Sequence, residues 1–169
     1  MPDWPIVPIT GQHERLGFSC GKPPLDDFLR TLVSQYEKRH LGRTYVACHP
    51  ATRRVAGYYT LASGSVAFQN LPAEAAKKLP RHPVPTVILA RLAVDRTAQG
   101  QGLGEALLID ASRRTLDLSE ALGIHAVEVD AIDEQARGFY EKYGFVPLTG
   151  QPLRLYLPVA TIRKGLNPG

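Results

Sequence analysis

Residues 85–108 decide the fold, and their sequence is PTVILARLAVDRTAQGQGLGEALL. The first part, residues 86–94, is a continuous apolar run rich in β-branched side chains, which predicts a strand buried on both faces in the middle of a sheet. Three glycines follow at alternate positions, and from residue 102 to 122 apolar side chains recur at helical spacing. The stretch therefore predicts a strand, a glycine-rich turn and a helix.

Such a turn is suited to binding phosphate. The first backbone N–H groups of a helix have no partner within it, and the helix dipole adds positive charge there. Glycines let the backbone approach an anion closely and adopt positive φ, so the turn predicts a phosphate site. The alternative is a helix start whose glycines serve packing alone. No Gly-Lys-Ser/Thr follows, as a Walker A loop requires, and Glu105 breaks the Rossmann pattern G-x-G-x-x-G.

The rest of the chain alternates between helical and extended patterns. Helical spacing predicts helices over residues 22–42, 72–79 and 134–144, with a proline opening the second and Asp133 capping the third. Gly42, Gly123 and Gly144 are the glycines expected to end the helices. Strands are predicted over residues 43–48, 53–66, 124–131 and 153–159. This order predicts a mixed α/β sheet with helices on its faces, in one domain over residues 1–169.

Composition narrows the class of protein. The chain has 169 residues and a formal net charge of +4, which favours acidic partners such as nucleic acid or CoA phosphates. No apolar run approaches the roughly 20 residues of a membrane span, and the first residues have no signal-peptide pattern, so a cytoplasmic location is expected. Cys20 and Cys48 are expected to be reduced thiols, and the five histidines show no metal-ligand spacing. Arg91 is unusual within its apolar strand.

Two motifs resemble one family. The sequence QGQGLG at residues 99–104 resembles the Q/R-x-x-G-x-G/A signature of the GNAT N-acetyltransferase superfamily, and DEQARGFYEKYGF at residues 133–145 resembles its N-x-x-A-x-x-[FL]-Y-x-x-x-G-F segment. Asp133 stands where asparagine is common. The resemblance implies a mixed, mostly antiparallel central sheet, splayed at the acetyl-CoA site, with helices on both faces. It implies that backbone amides of the first motif hold the pyrophosphate of acetyl-CoA, that the preceding strand residues pair with the pantetheine arm, and that the second motif completes the site. The implied cofactor-binding residues are Leu92, Ala93, Val94, Gln99, Gly100, Gln101, Gly102, Leu103, Gly104, Asp133 and Tyr140.

A narrower resemblance concerns the substrate. The phrases FSCGKPPLDDFL, GRTYVAC and VAGYYTLASGSV resemble the GNAT toxins of bacterial toxin–antitoxin pairs. That resemblance implies acetylation of the amino acid on charged tRNA, a ribbon-helix-helix antitoxin as partner, and a homodimer. Phosphate contacts to tRNA would come from basic side chains. The candidates are Arg30, Lys38, Arg39, Arg91, Arg96 and Arg137, of which Arg96 and Arg137 could instead meet the CoA phosphates.

The implied reaction is direct attack of a neutral amine on the acetyl thioester. A tyrosine hydroxyl, with a pKa of about 10, is protonated at pH 7 and can protonate the departing thiolate. Tyr140 occupies the position of the family's acid tyrosine, although it could instead be a core aromatic residue. A backbone N–H near Ala93 or Val94 could polarise the carbonyl. Glu128 or Asp130 could relay the amine proton through water, or both could be structural carboxylates. An α-amine, which titrates at about pH 7.7–8.0, needs little help from a base.

Two other functions remain open from the sequence. The acceptor could be a small amine or a protein amine instead of aminoacyl-tRNA. The chain could also be a non-catalytic CoA-binding or regulatory subunit that acts with an antitoxin. The intact glycine loop and Tyr140 argue against the non-catalytic alternative.

Overall fold

The computed structural model describes residues 4–166, with the Leu166 side chain left out. Within these residues the strands are β1 (Ile6–Pro8), β2 (Arg43–Cys48), β3 (Val55–Val66), β4 (Val84–Val94), β5 (Ala126–Asp130), β6 (Val146–Leu148) and β7 (Gln151–Pro158). The α-helices are α1 (Pro23–Asp27), α2 (Val33–Lys38), α3 (Ala73–Ala76), α4 (Leu103–Ser119), α5 (Glu134–Lys142) and α6 (Val159–Leu166). A π-helical segment, Phe28–Leu32, connects α1 to α2.

The seven strands form one open sheet in the order β1-β2-β3-β4-β5-β7-β6. Antiparallel pairing joins β1 to β2, β2 to β3, β5 to β7 and β6 to β7. The pairing of β4 with β5 is parallel and runs from Thr86 with Ala126 to Leu89 with Val129, whereas β4 continues to Val94. The prediction of a mixed, mostly antiparallel sheet with helices around it is confirmed.

The chain forms two compact units. The first consists of residues 1–62 and 90–111, and the second of residues 63–89 and 112–169. The prediction of one domain over residues 1–169 stays a prediction, and its first and last three residues lie outside the described part of the chain.

The first unit has an aromatic core. Its buried members are Phe18, Phe28, Leu29, Val33, Val46, Val55, Tyr58 and Ala93. Gly57 on β3 sets the distance to α4, because a Cβ at this position would lie 2.9 Å from Leu107 Cδ1 and 3.2 Å from the Ala93 carbonyl oxygen. The absence of a side chain at Gly57 therefore lets the start of α4 pack directly on β3.

The second unit has a smaller apolar cluster. It consists of Val66, Leu71, Val84, Ala126, Leu148 and Tyr156. Gly64 on β3 leaves room for a side chain of β4, since an added Cβ would lie 2.5 Å from Ile88 Cδ1. Strand β5 is buried along residues 126–129, as expected for a strand with neighbours on both sides.

The predicted helix over residues 22–42 ends earlier than Gly42, so the prediction of Gly42 as its end is wrong. Helix α2 ends at Lys38, and His40 takes the left-handed conformation with φ +58°. The N–H of Leu41 donates to the Tyr36 carbonyl at 2.9 Å, which together with His40 forms a Schellman ending. A residue with positive φ is needed two positions after the last helical residue, and His40 occupies that position instead of a glycine.

Two further boundaries differ from the predictions. Helix α4 ends at Ser119 and Gly123 has no positive φ, because the chain leaves the helix through a tightened turn in which the Glu120 and Ala121 N–H groups donate to the Asp117 and Leu118 carbonyls at 3.2 and 3.1 Å. Pro72 is the N-cap of α3, and not its first residue. By contrast, Gly144 has φ +96° just after α5, as expected.

Candidate functional site

The glycine-rich turn lies entirely in the first unit. Strand β4 ends at Val94, a short 3-10 turn covers Arg96–Ala98, and α4 begins at Leu103. Gly100 and Gly102 have φ +79° and +83°, and both are exposed. A Cβ at Gly100 would meet no atom within 4 Å, so the glycine there is required by backbone conformation and not by space. The first N–H groups of α4 therefore follow an exposed loop that leaves room for an anion.

Asp95 fixes the start of this turn. Its carboxylate is 2% exposed. Oδ1 accepts a hydrogen bond from the Ser19 N–H at 2.9 Å, and Oδ2 accepts from the Thr97 N–H at 3.0 Å and the Thr97 hydroxyl at 2.6 Å. Arg54 lies 3.6 Å from Oδ2. Burial alone would raise the pKa of Asp95, but these hydrogen bonds and the Arg54 charge bring it below its usual value.

The Gln99 side chain stabilises the turn through hydrogen bonds to two backbone carbonyls. Its side-chain Nε2 donates to the Val94 carbonyl at 2.9 Å and to the Cys20 carbonyl at 3.1 Å. The Gln101 side chain makes a longer contact of 3.4 Å to the Thr97 carbonyl. Because the Gln99 amide is used in this way, a contribution of Gln99 to ligand binding would come from its backbone N–H.

The strand before the turn presents alternating faces. Ala93 is buried in the aromatic core of the first unit, whereas Leu92 and Val94 are half-buried and point to the opposite face. Leu103, the first residue of α4, is also buried, and Gly104 lies within the helix. The predicted pyrophosphate loop and pantetheine-pairing strand thus form one continuous segment, residues 92–104, within a single compact unit.

The basic candidates are in different environments. Arg30 donates to the Phe18 carbonyl, and Lys38 and Arg39 are exposed at the end of α2. Arg137 is held on α5 by Glu134 and Glu141, three residues before and four residues after it. The Arg91 guanidinium lies over the ring of Phe28, with 3.7 Å between its carbon and the ring centroid. Of the two arginines suggested for CoA phosphates, Arg96 is exposed beside the glycine turn and Arg137 is already paired with carboxylates.

In the second unit, α5 has the start that its sequence predicts. Asp133 accepts a hydrogen bond from the Ala136 N–H at 2.9 Å and is the N-cap. Tyr140 is buried and packs edge-on against Phe139 and Phe145, with ring centroids 5.3 and 5.5 Å away. Burial raises the pKa of Tyr140 well above its usual value. With its raised pKa, the Tyr140 hydroxyl is protonated at neutral pH and can donate a proton or a hydrogen bond.

Both carboxylate oxygens of Glu128 have partners within the chain. Its Oε2 accepts a hydrogen bond from the Thr86 hydroxyl at 2.8 Å, and its Oε1 lies 2.7 Å from an Arg154 nitrogen. Both oxygens are therefore occupied in a buried pair, which favours the structural interpretation of Glu128 over a proton relay. Asp130, at the end of β5, is exposed.

Residues 4–166 contain no group of three or more His, Cys, Asp and Glu side chains that could hold a metal ion. Cys20 and Cys48 are free thiols, and burial together with the Asp26 carboxylate raises the pKa of Cys20 to about 11. A thiol with that pKa is a weak nucleophile at neutral pH.

The open α/β sheet and the glycine turn at the start of α4 are typical of proteins that bind a phosphorylated ligand, and comparison with known proteins identifies the family. Residues 28–147 match the family model described as an acetyltransferase (GNAT) domain. This chain belongs to the GNAT acetyltransferase family, which confirms the family predicted from its two motifs.

Individual relatives have names that are more specific than the family description. A tRNA-acetylating toxin of Mycobacterium tuberculosis is 41% identical over 149 residues, which cover 88% of each chain. A structure of AtaT complexed with acetyl-methionyl-tRNAfMet superposes with a TM-score of 0.90 at 34% identity, and covers 98% of this chain and 100% of that one. A Tyr-to-Phe variant of the toxin AtaT, bound to the C-terminus of the antitoxin AtaR and acetyl-CoA, gives 0.85 at 32% identity and covers 98% and 99%. No helix in the described residues is long and apolar enough to span a membrane.

Proposed function

We propose that this protein transfers the acetyl group of acetyl-CoA to the α-amine of the amino acid on a charged tRNA, and thereby acts as a translation-blocking toxin. The observation that carries the proposal is the glycine turn between β4 and α4, fixed by Asp95 and Gln99, in a chain 41% identical to a tRNA-acetylating toxin. An acceptor of this type also agrees with the net charge of +4.

Acetyl-CoA would be bound mainly by backbone groups. Residues 99–104 supply N–H groups to the pyrophosphate at the start of α4, where the helix dipole favours negative charge. Leu92, Ala93 and Val94 supply an extended edge for the pantetheine arm, and Asp133 orders the start of α5. The positive φ of Gly100 and Gly102 fits this role, since it turns the loop without placing a side chain in the path of a phosphate.

Tyr140 supplies the proton that the reaction needs. The amine nitrogen forms a bond to the carbonyl carbon, the carbon–sulfur bond breaks, and the departing thiolate takes the Tyr140 hydroxyl proton. A backbone N–H of Ala93 or Val94 would polarise the carbonyl. No dedicated base is assigned, because the α-amine of an aminoacyl ester is substantially neutral near pH 7.7–8.0 and Glu128 is fully engaged with Thr86 and Arg154. The amine proton passes to water.

The partners follow from the substrate and the relatives. We place the reaction in the cytoplasm, where charged tRNA is found, and propose a homodimer neutralised by a ribbon-helix-helix antitoxin. Support for the antitoxin comes from the AtaT variant bound to the C-terminus of AtaR.

The test uses purified protein, radiolabelled acetyl-CoA and total charged tRNA, with deacylated tRNA as control. We expect label on charged tRNA only. Tyr140→Phe should lower turnover by about 10²- to 10⁴-fold, the range for loss of a general acid, while acetyl-CoA still binds. The matched control is Tyr156→Phe, a second buried tyrosine of the same unit, which should retain turnover.

The other outcomes identify the alternatives. Bound acetyl-CoA without label on RNA would overturn the tRNA substrate and point to a small amine or a protein amine. Full turnover of Tyr140→Phe with every amine would exclude Tyr140 as the acid. Failure of the wild type to acetylate any amine would favour a regulatory, CoA-binding subunit.

A further inference from the structure

The positively charged Arg91 side chain packs on two aromatic rings, Phe28 and Tyr36, which form an aromatic seat for its guanidinium. Its guanidinium carbon lies 3.7 Å from the centroid of the Phe28 ring and 5.2 Å from that of Tyr36. The two rings meet edge to face at 86° with centroids 5.0 Å apart, and Phe28 is buried and stacks on Tyr58. The seat is therefore part of the packed core of the first unit, and it restricts the plane of the guanidinium.

The Arg91 charge has no counter-ion in residues 4–166. No carboxylate of the described chain lies within 4.0 Å of it, whereas Arg43 pairs with Glu37 and Arg54 with Asp95 in the same unit. Arg91 is also half-buried, so its charge is partly removed from water. A partly desolvated cation without an anion is costly, and such groups concentrate at binding sites.

Aromatic rings contact the face of a guanidinium and leave its N–H edge available. That edge has a fixed fork of donors that matches two oxygens of a phosphate or a carboxylate. The seat around Arg91 thus orders the side chain and keeps its hydrogen-bonding edge for an anion from outside the chain.

The position of Arg91 along β4 indicates which anion this is. The identity of this anion depends on the proposed function. If the pyrophosphate lies at the loop after Val94 and the arm pairs with residues 92–94, the arm runs back along the strand. The thioester then lies near residue 92, about 3.3 Å along the strand from Arg91. The acceptor amine must reach the same place.

We propose that Arg91 binds the phosphodiester group nearest the aminoacylated 3′ end of the tRNA. An amino acid esterified to tRNA has lost its carboxylate, so this phosphodiester is the first anion beyond the terminal ribose. The interaction positions the acceptor end and makes the enzyme prefer an aminoacylated RNA over an aminoacyl ester without phosphate.

The experiment compares three acceptors that carry the same amino acid: charged tRNA, aminoacylated CpCpA trinucleotide, and aminoacyl-adenosine, which has no phosphodiester. Arg91→Gln should raise KM for the first two about 10- to 100-fold, the range for losing a hydrogen-bonded charge, with kcat nearly unchanged. It should leave KM for aminoacyl-adenosine within about twofold. Arg91→Lys keeps a cation but not the fork, and should show a smaller rise for the same two acceptors.

Salt dependence supplies a measurement that a purely structural role would not change. The slope of log(kcat/KM) against log[salt] for charged tRNA should become less steep by about 0.7 in Arg91→Gln, the value for one contact to single-stranded nucleic acid. The control Arg163→Gln removes one half-exposed charge from α6 and should change neither KM nor the slope.

Each contrary result has a distinct meaning. An equal loss with aminoacyl-adenosine, or an unchanged salt slope, would overturn the assignment of Arg91 while tRNA acetylation stands. If Arg91→Gln does not fold, Arg91→Lys decides, since an effect that is equal on all three acceptors would overturn the assignment. If the wild type acetylates none of the three, the proposed function is wrong and the assignment is overturned with it.

Discussion

Replacing Asp95 by asparagine tests the structural basis of the glycine turn. The carboxylate accepts from the Ser19 N–H on one oxygen and from Thr97 on the other. An asparagine has a single acceptor oxygen, so when this oxygen faces Thr97, the amide NH₂ faces the Ser19 N–H. One buried donor is then unpaired, and the remaining bonds lose the assistance of a charge.

These losses set the magnitude. An unpaired buried donor costs about 1–3 kcal/mol, and replacing charged by neutral hydrogen bonds costs about 1 kcal/mol more. The Arg54 contact, with an arginine that is 50% exposed, contributes little. We therefore expect Asp95→Asn to lower the free energy of unfolding by about 3 kcal/mol and to weaken acetyl-CoA binding. The control is Asp117→Asn on the exposed face of α4, for which we expect less than about 0.5 kcal/mol.

The assay is urea unfolding followed by circular dichroism, with and without acetyl-CoA. The pH dependence adds a second readout. Because the folded pKa of Asp95 is lowered, its contribution is complete above the pKa of an unfolded aspartate, about 3.9, and is lost as the pH falls through the lower folded value. The stability difference between wild type and Asp95→Asn should therefore shrink below about pH 4. A difference under about 1 kcal/mol at pH 7, with an unchanged m-value, would refute the reasoning, because it would fall below the cost of one unpaired buried donor.

Three further substitutions test other features. Gly100→Ala should cost about 1–2 kcal/mol, because φ is +79° and no neighbour obstructs the methyl group, and should weaken acetyl-CoA affinity measured by calorimetry. Gly57→Ala should lower stability by about 1–3 kcal/mol in thermal melts, since its Cβ would lie 2.9 Å from Leu107; Gly11→Ala, with open space around it, is the control. Glu128→Gln should cost about 1–3 kcal/mol in urea unfolding, because Arg154 loses its carboxylate partner and keeps only its bond to Gln151, and retention of turnover by the folded variant would agree with a structural role. A large loss of turnover in stably folded Glu128→Gln would contradict that assignment.

The parts of the fold predicted from sequence are those with local signals. A few neighbouring residues are enough to predict each of three features: the apolar run of β4, the glycines at positions 100 and 102, and the Asp133 cap. Strands β1 and β6, with three residues each, are too short to show a period, and α6 follows β7 without a break, so these elements were not predicted.

Contacts between residues that are far apart in the sequence could not be predicted. Asp95 contacts Ser19, which is 76 residues away in the sequence, although an aspartate two positions before Thr97 is a typical turn signal. The motif predicts that Gln99 binds the cofactor, and this stays a prediction, but the motif does not show that its side chain donates to the Cys20 carbonyl, 79 positions away. Neither of these two long-range contacts can be inferred from a single sequence. The misplacement of the helix end at Gly42 has a local cause, since His40 adopts the conformation usually reserved for glycine.

The side-chain hydrogen bonds within the glycine turn affect the free energy of ligand binding. Because the Gln99 and Asp95 side chains fix the loop backbone before any ligand arrives, binding need not supply the conformational entropy of ordering it. More of the gross interaction energy with the pyrophosphate is then available as affinity. The Thr97 and Ala98 amides, which donate to Asp95, should already be protected from hydrogen exchange in the free protein, and association with CoA should be limited by encounter instead of by loop closure.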